Sequence, residues 1–225
     1  MAPHPNYKKT ENDWFAKIPE DWINLRIKQI VSTKVTDGPH VTPVQVDEGV
    51  PFLSATAVEN GRLNMNKMWG YISRKDHELY CRKCLPQLED IFMVKSGATT
   101  GSIAFVDFED EFSVWSPLAL IRCDRNKMHP RFVFYSLQSD YLQKAISQTW
   151  SKGTQENIAM KAIEELPILR PPLEEQIEIA NYIDASTYLF DELISKTNNL
   201  IEKIKEYRTS LISAIVTGKI DVQSI

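Results

Sequence analysis

The chain has 225 residues, is 43% hydrophobic and 25% charged, and carries a formal net charge of −4. This is enough for one large domain, or one domain with an appendage, in the composition range of ordinary water-soluble proteins. No apolar run approaches the roughly 18 residues of a membrane span, and the opening MAPHPNYKKTENDW lacks the apolar centre of a signal peptide. The three cysteines leave at least one unpaired within the chain, which predicts a cytoplasmic protein with free thiols.

From the N-terminus, DWFAKIPEDWINLRIKQIV groups Trp14, Phe15, Ile18, Trp22 and Leu25, so the entry of the chain should pack on the core. TDGPHVTP (36–43) is turn chemistry around Asp37-Gly38-Pro39 and Pro43. GVPFLSATAVENGRL reads as strand, loop and an Asn60-Gly61 turn. DIFMVKSGATTGSIAFVD reads as two strands around a glycine-containing loop, and FSVWSPLALIRC as another strand. Pro130 can open a helix whose apolar side runs through Phe132, Tyr135 and Leu142 to Ile146. TWSKGTQENIAMKAIEELPIL then gives a polar loop, a short helix and a last strand. Residues 1–170 are thus predicted to form a mixed α+β domain with many short strands, and 171–225 a long helix.

The C-terminal helix carries the clearest pattern. Ile179, Ile183, Ser186, Phe190, Leu193, Thr197, Leu200, Ile204, Tyr207, Leu211 and Ala214 follow a 4,3 spacing, a heptad seam with Ser186 and Thr197 as polar interruptions. Leu189, Ile194 and Ile201 widen the stripe. At about 1.5 Å per residue, 173–216 spans roughly 66 Å, against roughly 35–40 Å for the diameter of a 170-residue domain. Such a stripe predicts a partner helix and a coiled-coil homodimer, with Ile179, Ile183, Phe190, Leu193, Leu200, Ile204, Tyr207 and Leu211 at the contact. The alternative is a hairpin of two shorter helices folded near Thr197-Asn198-Asn199. Gly218 is the stop signal. Pro171 and Pro172 form a stiff joint: they set φ near −65°, push Arg170 toward extended backbone, and put Pro172, Glu174 and Glu175 where a first helical turn favours them.

Residues 1–172 hold 21 basic and 21 acidic side chains, whereas 62–84 hold six basic (Arg62, Lys67, Arg74, Lys75, Arg82, Lys83) against Asp76 and Glu78. A local basic face on a neutral domain is compatible with DNA; a solvated surface is the plainer reading. No catalytic group is predicted. No Asp or Glu is followed two residues later by Lys, as a common nuclease motif requires. The only Pro-Pro has the wrong neighbours for an amino-methyltransferase loop. KSGATTGS lacks the Gly-Lys-Ser/Thr ending of a phosphate-binding loop and reads as a hairpin. Cys81-x-x-Cys84 with Cys123 and His129 is a weak zinc pattern, and free thiols are preferred. Nothing activates a Cys–His pair with His77 or His40.

LPILRPPLEEQIEIANYID followed by IEKIKEYRTSLISAIVTGKIDV resembles the specificity subunits of type I restriction–modification systems. WFAKIPEDW, GVPFLSATAVENGRL, EDIFMVKSGATTGSIAFV and SKGTQENI extend the resemblance over nearly the whole chain, through their order and spacing. The resemblance implies a non-catalytic, sequence-specific double-stranded-DNA-recognition subunit with a target recognition domain and a conserved spacing helix. It further implies a modification subunit that methylates adenine and a restriction (motor-nuclease) subunit, with S-adenosylmethionine, ATP and Mg2+ on those partners and no cofactor or metal on this chain. Family members usually carry two recognition domains and two helices packed antiparallel; one of each here implies a half-subunit that dimerises, a fragment, or an exchangeable module. The DNA-contact candidates are His40 and Thr42, then Arg62, Arg74 and Lys75, then Lys95, Ser96, Thr99 and Thr100, then Lys152 and Gln155, all on loops suited to phosphate and base-edge hydrogen bonds. The competing class is a coiled-coil assembly protein whose α+β domain binds protein or a small ligand.

Overall fold

A computed structural model of the chain describes residues 4–12, 15–150 and 157–220. It divides into two units, Met1–Ala180 and Asn181–Ile225. The first is α+β with many short strands. In chain order it holds β1 (Tyr7–Asn12), β2 (Phe15–Pro19), β3 (Ile23–Arg26), α1 (Ile27–Ile30), β4 (Thr36–Asp37), β5 (Gln45–Val46) and β6 (Val50–Leu53). Then come β7 (Val58–Glu59), β8 (Arg62–Leu63), β9 (Gly70–Ile72), α2 (Arg74–Cys81), β10 (Ile91–Val94), β11 (Ile103–Phe105), β12 (Ser113–Val114) and β13 (Leu118–Ile121). After these lie α3 (Pro130–Gln138), α4 (Asp140–Gln148), α5 (Met160–Glu164), β14 (Pro167–Arg170) and the start of α6 (Leu173–Val216).

The centre is a six-stranded sheet in the order β4-β13-β10-β11-β8-β7. Every residue of β10, β11 and β13 is buried, because both faces of the sheet are covered. The two-residue period of a strand divides them. Ile91, Met93, Ile103, Phe105, Ala119 and Ile121 join the core built with α1, α3 and α4; Phe92, Val94, Ala104, Leu118 and Leu120 join a second core with Leu53, Phe112 and Val114. The other large sheet, β12-β6-β9-β5, carries Phe52 packed against Trp69, Tyr80 and Trp115.

Two predicted elements divide where backbone bonding is diverted. The run FSVWSPLALIRC becomes β12 and β13, in different sheets. Trp115 N–H bonds Leu53 O, and Leu118 N–H turns back to Trp115 O across Pro117. The helix opened by Pro130 stops at Ser139, whose ψ of 148° is extended, and α4 restarts from it. Trp22 packs edge-on to Phe132, whereas Trp14 lies outside the described residues.

Helix α6 is continuous over 44 residues, so the hairpin at Thr197–Asn199 does not form. The Thr197 hydroxyl donates to Leu193 O at 2.7 Å and is satisfied within the helix. Gly218 ends it with φ 70°, while Lys219 N–H bonds Ala214 O at 2.8 Å, a left-handed cap that suits glycine. At the other end Pro172 precedes the first helical residue, and its carbonyl accepts Gln176 N–H at 3.0 Å. The Gln176 side chain is fully buried. It donates to Pro171 O (2.8 Å) and Lys127 O (3.2 Å) and accepts His129 N–H (2.8 Å), anchoring the first turns. Trp22 Nε1 donates to Glu175 at 3.0 Å beside them.

Candidate nucleic-acid interface

Strand register brings several predicted loops to one end of the six-stranded sheet. Val94 pairs with Leu118, Ala119 with Asp37, and Met93 with Ile103. The segments beyond these pairs, 38–43, 95–102 and 115–117, therefore leave the sheet at the same end. Strand β8 runs parallel to β11, so the Asn60-Gly61 turn before it reaches that end too. Ser96 bridges Asn157, and Ile158 N–H bonds Lys95 O at 2.7 Å, bringing in the chain after 156.

Asp37 holds this end together. Its side chain is 6% exposed and meets Lys83 Nζ, Lys95 Nζ (3.3 Å) and His40 Nε2 (3.2 Å). Burial alone would raise the Asp37 pKa; hydrogen bonds and charge from Lys83 and Lys95 outweigh it and hold the carboxyl below the usual aspartate range. Gly38 makes the approach possible: a Cβ there would sit 1.9 Å from Val114 O. Lys95 is nearly buried (11%), while Lys83 (50%) and His40 (68%) remain open to an incoming anion. Lys83 donates to Gly38 O as well, at 3.1 Å. One buried carboxylate thus orders two lysines and an imidazole from three chain segments.

The other sequence candidates divide. Thr99 and Thr42 are exposed on their loops, and the Thr100 hydroxyl is turned inward to Gly97 O at 2.7 Å. Arg62 lies 3.7 Å from Asp107 as an exposed pair, Arg74 binds Glu111, and Lys75 is exposed on α2. Lys152 and Gln155 lie outside the described residues. The role of Asp37 and Lys83 was not legible, since their pairing spans 46 positions. Val41 and Val44, which carry no sequence signal of their own, are large apolar side chains exposed beside this end.

His77 shows why a constellation of catalytic residue types needs geometry. Its Nδ1 meets Ser113 Oγ at 2.8 Å and its Nε2 meets Glu111 Oε1 at 3.0 Å. Ser113 is 1% exposed on β12, so no substrate reaches the hydroxyl, and the three side chains brace α2 against β12. Cys81 Sγ lies 3.4 Å from His77 Nε2, and burial pushes its thiol pKa up. Burial pushes Cys84 and Cys123 up to about 12, leaving protonated, inert thiols. Among the described residues no three His, Cys, Asp or Glu side chains are grouped to hold a metal ion, and no helix is long and apolar enough to cross a membrane.

The Asp37 cluster and its loops thus lie at one sheet end of a strand-rich domain that is joined in sequence to a long helix. The chain belongs to the type I restriction modification DNA specificity domain family, whose model matches residues 19–203. It is 28% identical over 225 residues to the MjaX specificity subunit of Methanocaldococcus jannaschii, covering 98% of this chain and 48% of that one. Among solved structures, one concerning complex assembly and conformational transition of the type I R-M system superposes with a TM-score of 0.64 at 20% identity, over 94% of this chain and 47% of that chain. The HsdS subunit from Thermoanaerobacter tengcongensis gives 0.58 at 18% identity, over 78% and 44%. These two likenesses concern the fold. The chain spans about half the length of the curated relatives it matches.

Proposed function

We propose that this chain is a non-catalytic DNA-recognition subunit of a type I restriction–modification complex. In this reading residues 1–170 are the target recognition domain and 171–225 the helix for dimerisation and spacing. The observation that carries it is the sheet end where Asp37 orders Lys83, Lys95 and His40 among the 38–43 and 95–102 loops. Exposed cations there neutralise phosphate and position the protein, while loop side chains reach base edges. Adenine methylation and cleavage belong to a modification and a restriction subunit, which bind S-adenosylmethionine, ATP and Mg2+ in the cytoplasm.

Dimerisation through α6 creates a bipartite reader. A two-fold pair of identical domains prefers an inverted repeat with an unread gap. A helix of about 66 Å limits the half-site centres to a separation of roughly 19 base pairs at ~3.4 Å each. Pro171 and Pro172 act as the stiff joint that makes the gap length strict.

The test is a binding and methylation profile of the purified chain with its modification subunit, across duplexes whose gap changes one base pair at a time. A sharp optimum is expected, broadened by replacing both prolines with glycine, with the half-site sequence unchanged. The chain alone, given S-adenosylmethionine, Mg2+, ATP and DNA, leaves the DNA unmodified and uncut. A flat gap profile for the parent, or activity lost on mutating one of this chain's own residues, refutes the corresponding part.

A further inference from the structure

At the same end of the six-stranded sheet, on the opposite limb of the 95–102 loop from the Asp37 cluster, lies a cleft of about 300 Å³. Its wall includes Asn60, Gly61, Thr100, Ser102, Gln138 and Gln143, and among the described residues no lining residue is charged. Three carboxamides from three separate segments converge there: the β7–β8 turn, the end of α3 and the first half of α4.

The amides are not equivalent. Gln143 is committed to the fold, with Nε2 donating to Leu137 O at 2.7 Å and Gly101 O at 3.2 Å. It holds the back limb of the 95–102 loop against α4. Gln138 makes one long contact, Nε2 to Phe134 O at 3.4 Å, and its side chain is exposed. Asn60 makes no side-chain hydrogen bond among the described residues. Its backbone is left-handed, with φ 49°, followed by Gly61 at 79°. The Asn-Gly turn therefore carries an uncommitted amide in the lining of the cleft, next to a glycine on which a Cβ would lie 3.7 Å from Gln138 Oε1.

Among the described residues no cation lines the cleft, so a phosphate finds no charge partner in that lining. A carboxamide offers one donor and one acceptor side by side, which matches the N6 donor and N7 acceptor of adenine in the major groove. The groups open to a phosphate lie outside the cleft: Lys83 and His40 on Asp37, to which Lys95 ties the other limb of the same loop, and Arg62, which follows the turn as an exposed guanidinium only loosely paired at 3.7 Å. We infer that the cleft between the Asn60-Gly61 turn and the end of α3 is a base-reading site for an adenine edge, with Asn60 and Gln138 as specificity-determining residues. The inference rests on the DNA-recognition reading above and adds which residues choose the base.

The experiment is selection from a randomised duplex library by the full chain together with its modification subunit, followed by sequencing, for the parent, N60G, Q138A and Q138E. Glycine at 60 keeps the left-handed turn while removing the amide, and position 138 is an exposed helix end; thermal melts confirm that each variant folds. N60G and Q138A should each relax a preference for adenine at one position of the half-site, by on the order of tenfold to a hundredfold, with the other positions unchanged. Q138E, which only accepts, should shift the affected position toward cytosine, whose N4 donates. If the parent selects a sequence and all three variants select the same one, the cleft is not a reading site and the DNA-recognition reading stands. If the relaxed position is not adenine, the assignment of the base is wrong. If the parent selects no sequence at all, both readings fall.

Discussion

The same residue types meet opposite fates in the two units. In β10, Ile91, Phe92, Met93 and Val94 are buried completely, covered by helices on one face and strands on the other. In α6, Phe190, Leu193, Leu200, Ile204 and Tyr207 are 57–69% exposed. Short strands solved their burial inside the domain because a sheet can be layered on both faces; a single helix has no second layer of its own. A stripe this long is an exposed apolar patch of the kind that marks an interaction surface. The contrast also locates the handover between the units. Ile179, counted in the heptad seam, packs partly buried on the domain core, and Ala180 is fully buried. The uncovered seam therefore starts beyond them.

The largest effect should come from truncating the same side chain in the two settings. Phe92→Ala removes a fully buried ring and should cost about 3–5 kcal/mol, read from urea unfolding. Phe190→Ala should leave that transition in place and weaken self-association instead. Equal losses of domain stability would erase the distinction.

Next, Leu193→Glu with Leu200→Glu should convert a particle of twice 25.9 kDa into a monomer or an aggregate by light scattering, without altering the domain's unfolding. A well-behaved monomer for the parent would mean that the stripe has no second copy as its partner.

A smaller change is expected at the anchor of α6. Gln176→Ala strands His129 N–H and two carbonyls, at Lys127 and Pro171, and should cost about 1–3 kcal/mol in thermal or urea unfolding. An unchanged midpoint would show that this side chain does not hold the first turns.

The smallest and most condition-dependent effect concerns Asp37. Its folded pKa is held below the unfolded value by Lys83 and Lys95 after the opposing effect of burial. The stabilisation is therefore fully present above the unfolded pKa of about 3.9 and is lost as pH falls through the depressed folded value. D37N should be less stable than the parent near neutrality, with the gap closing below about pH 4. A gap that grows in acid would reverse the assigned sign.

Much of this architecture is legible in local pattern. The heptad spacing, the Gly218 stop and the Pro171-Pro172 joint mark α6, and the apolar runs at 91–94 and 103–105 mark central strands. Such signals come from neighbours a few positions apart, where periodicity and turn chemistry act. The division of FSVWSPLALIRC into two strands depends instead on Leu53 reaching Trp115. The candidate loops were legible in the sequence, but the contacts between their side chains were not. Arg62 and Arg74 belong to a basic run in sequence, yet Asp107 and Glu111 from a distant segment face them in the fold. Asp37 looks like one more turn residue until Lys83, Lys95 and His40 close on it. Asn60, Gln138 and Gln143 give no common motif at all, because convergence on a cleft leaves no spacing rule. Local sequence determined which segments are strands, turns and a long helix; only the tertiary structure decided which polar side chains meet, since hydrogen bonds and charge pairs depend on distance in space.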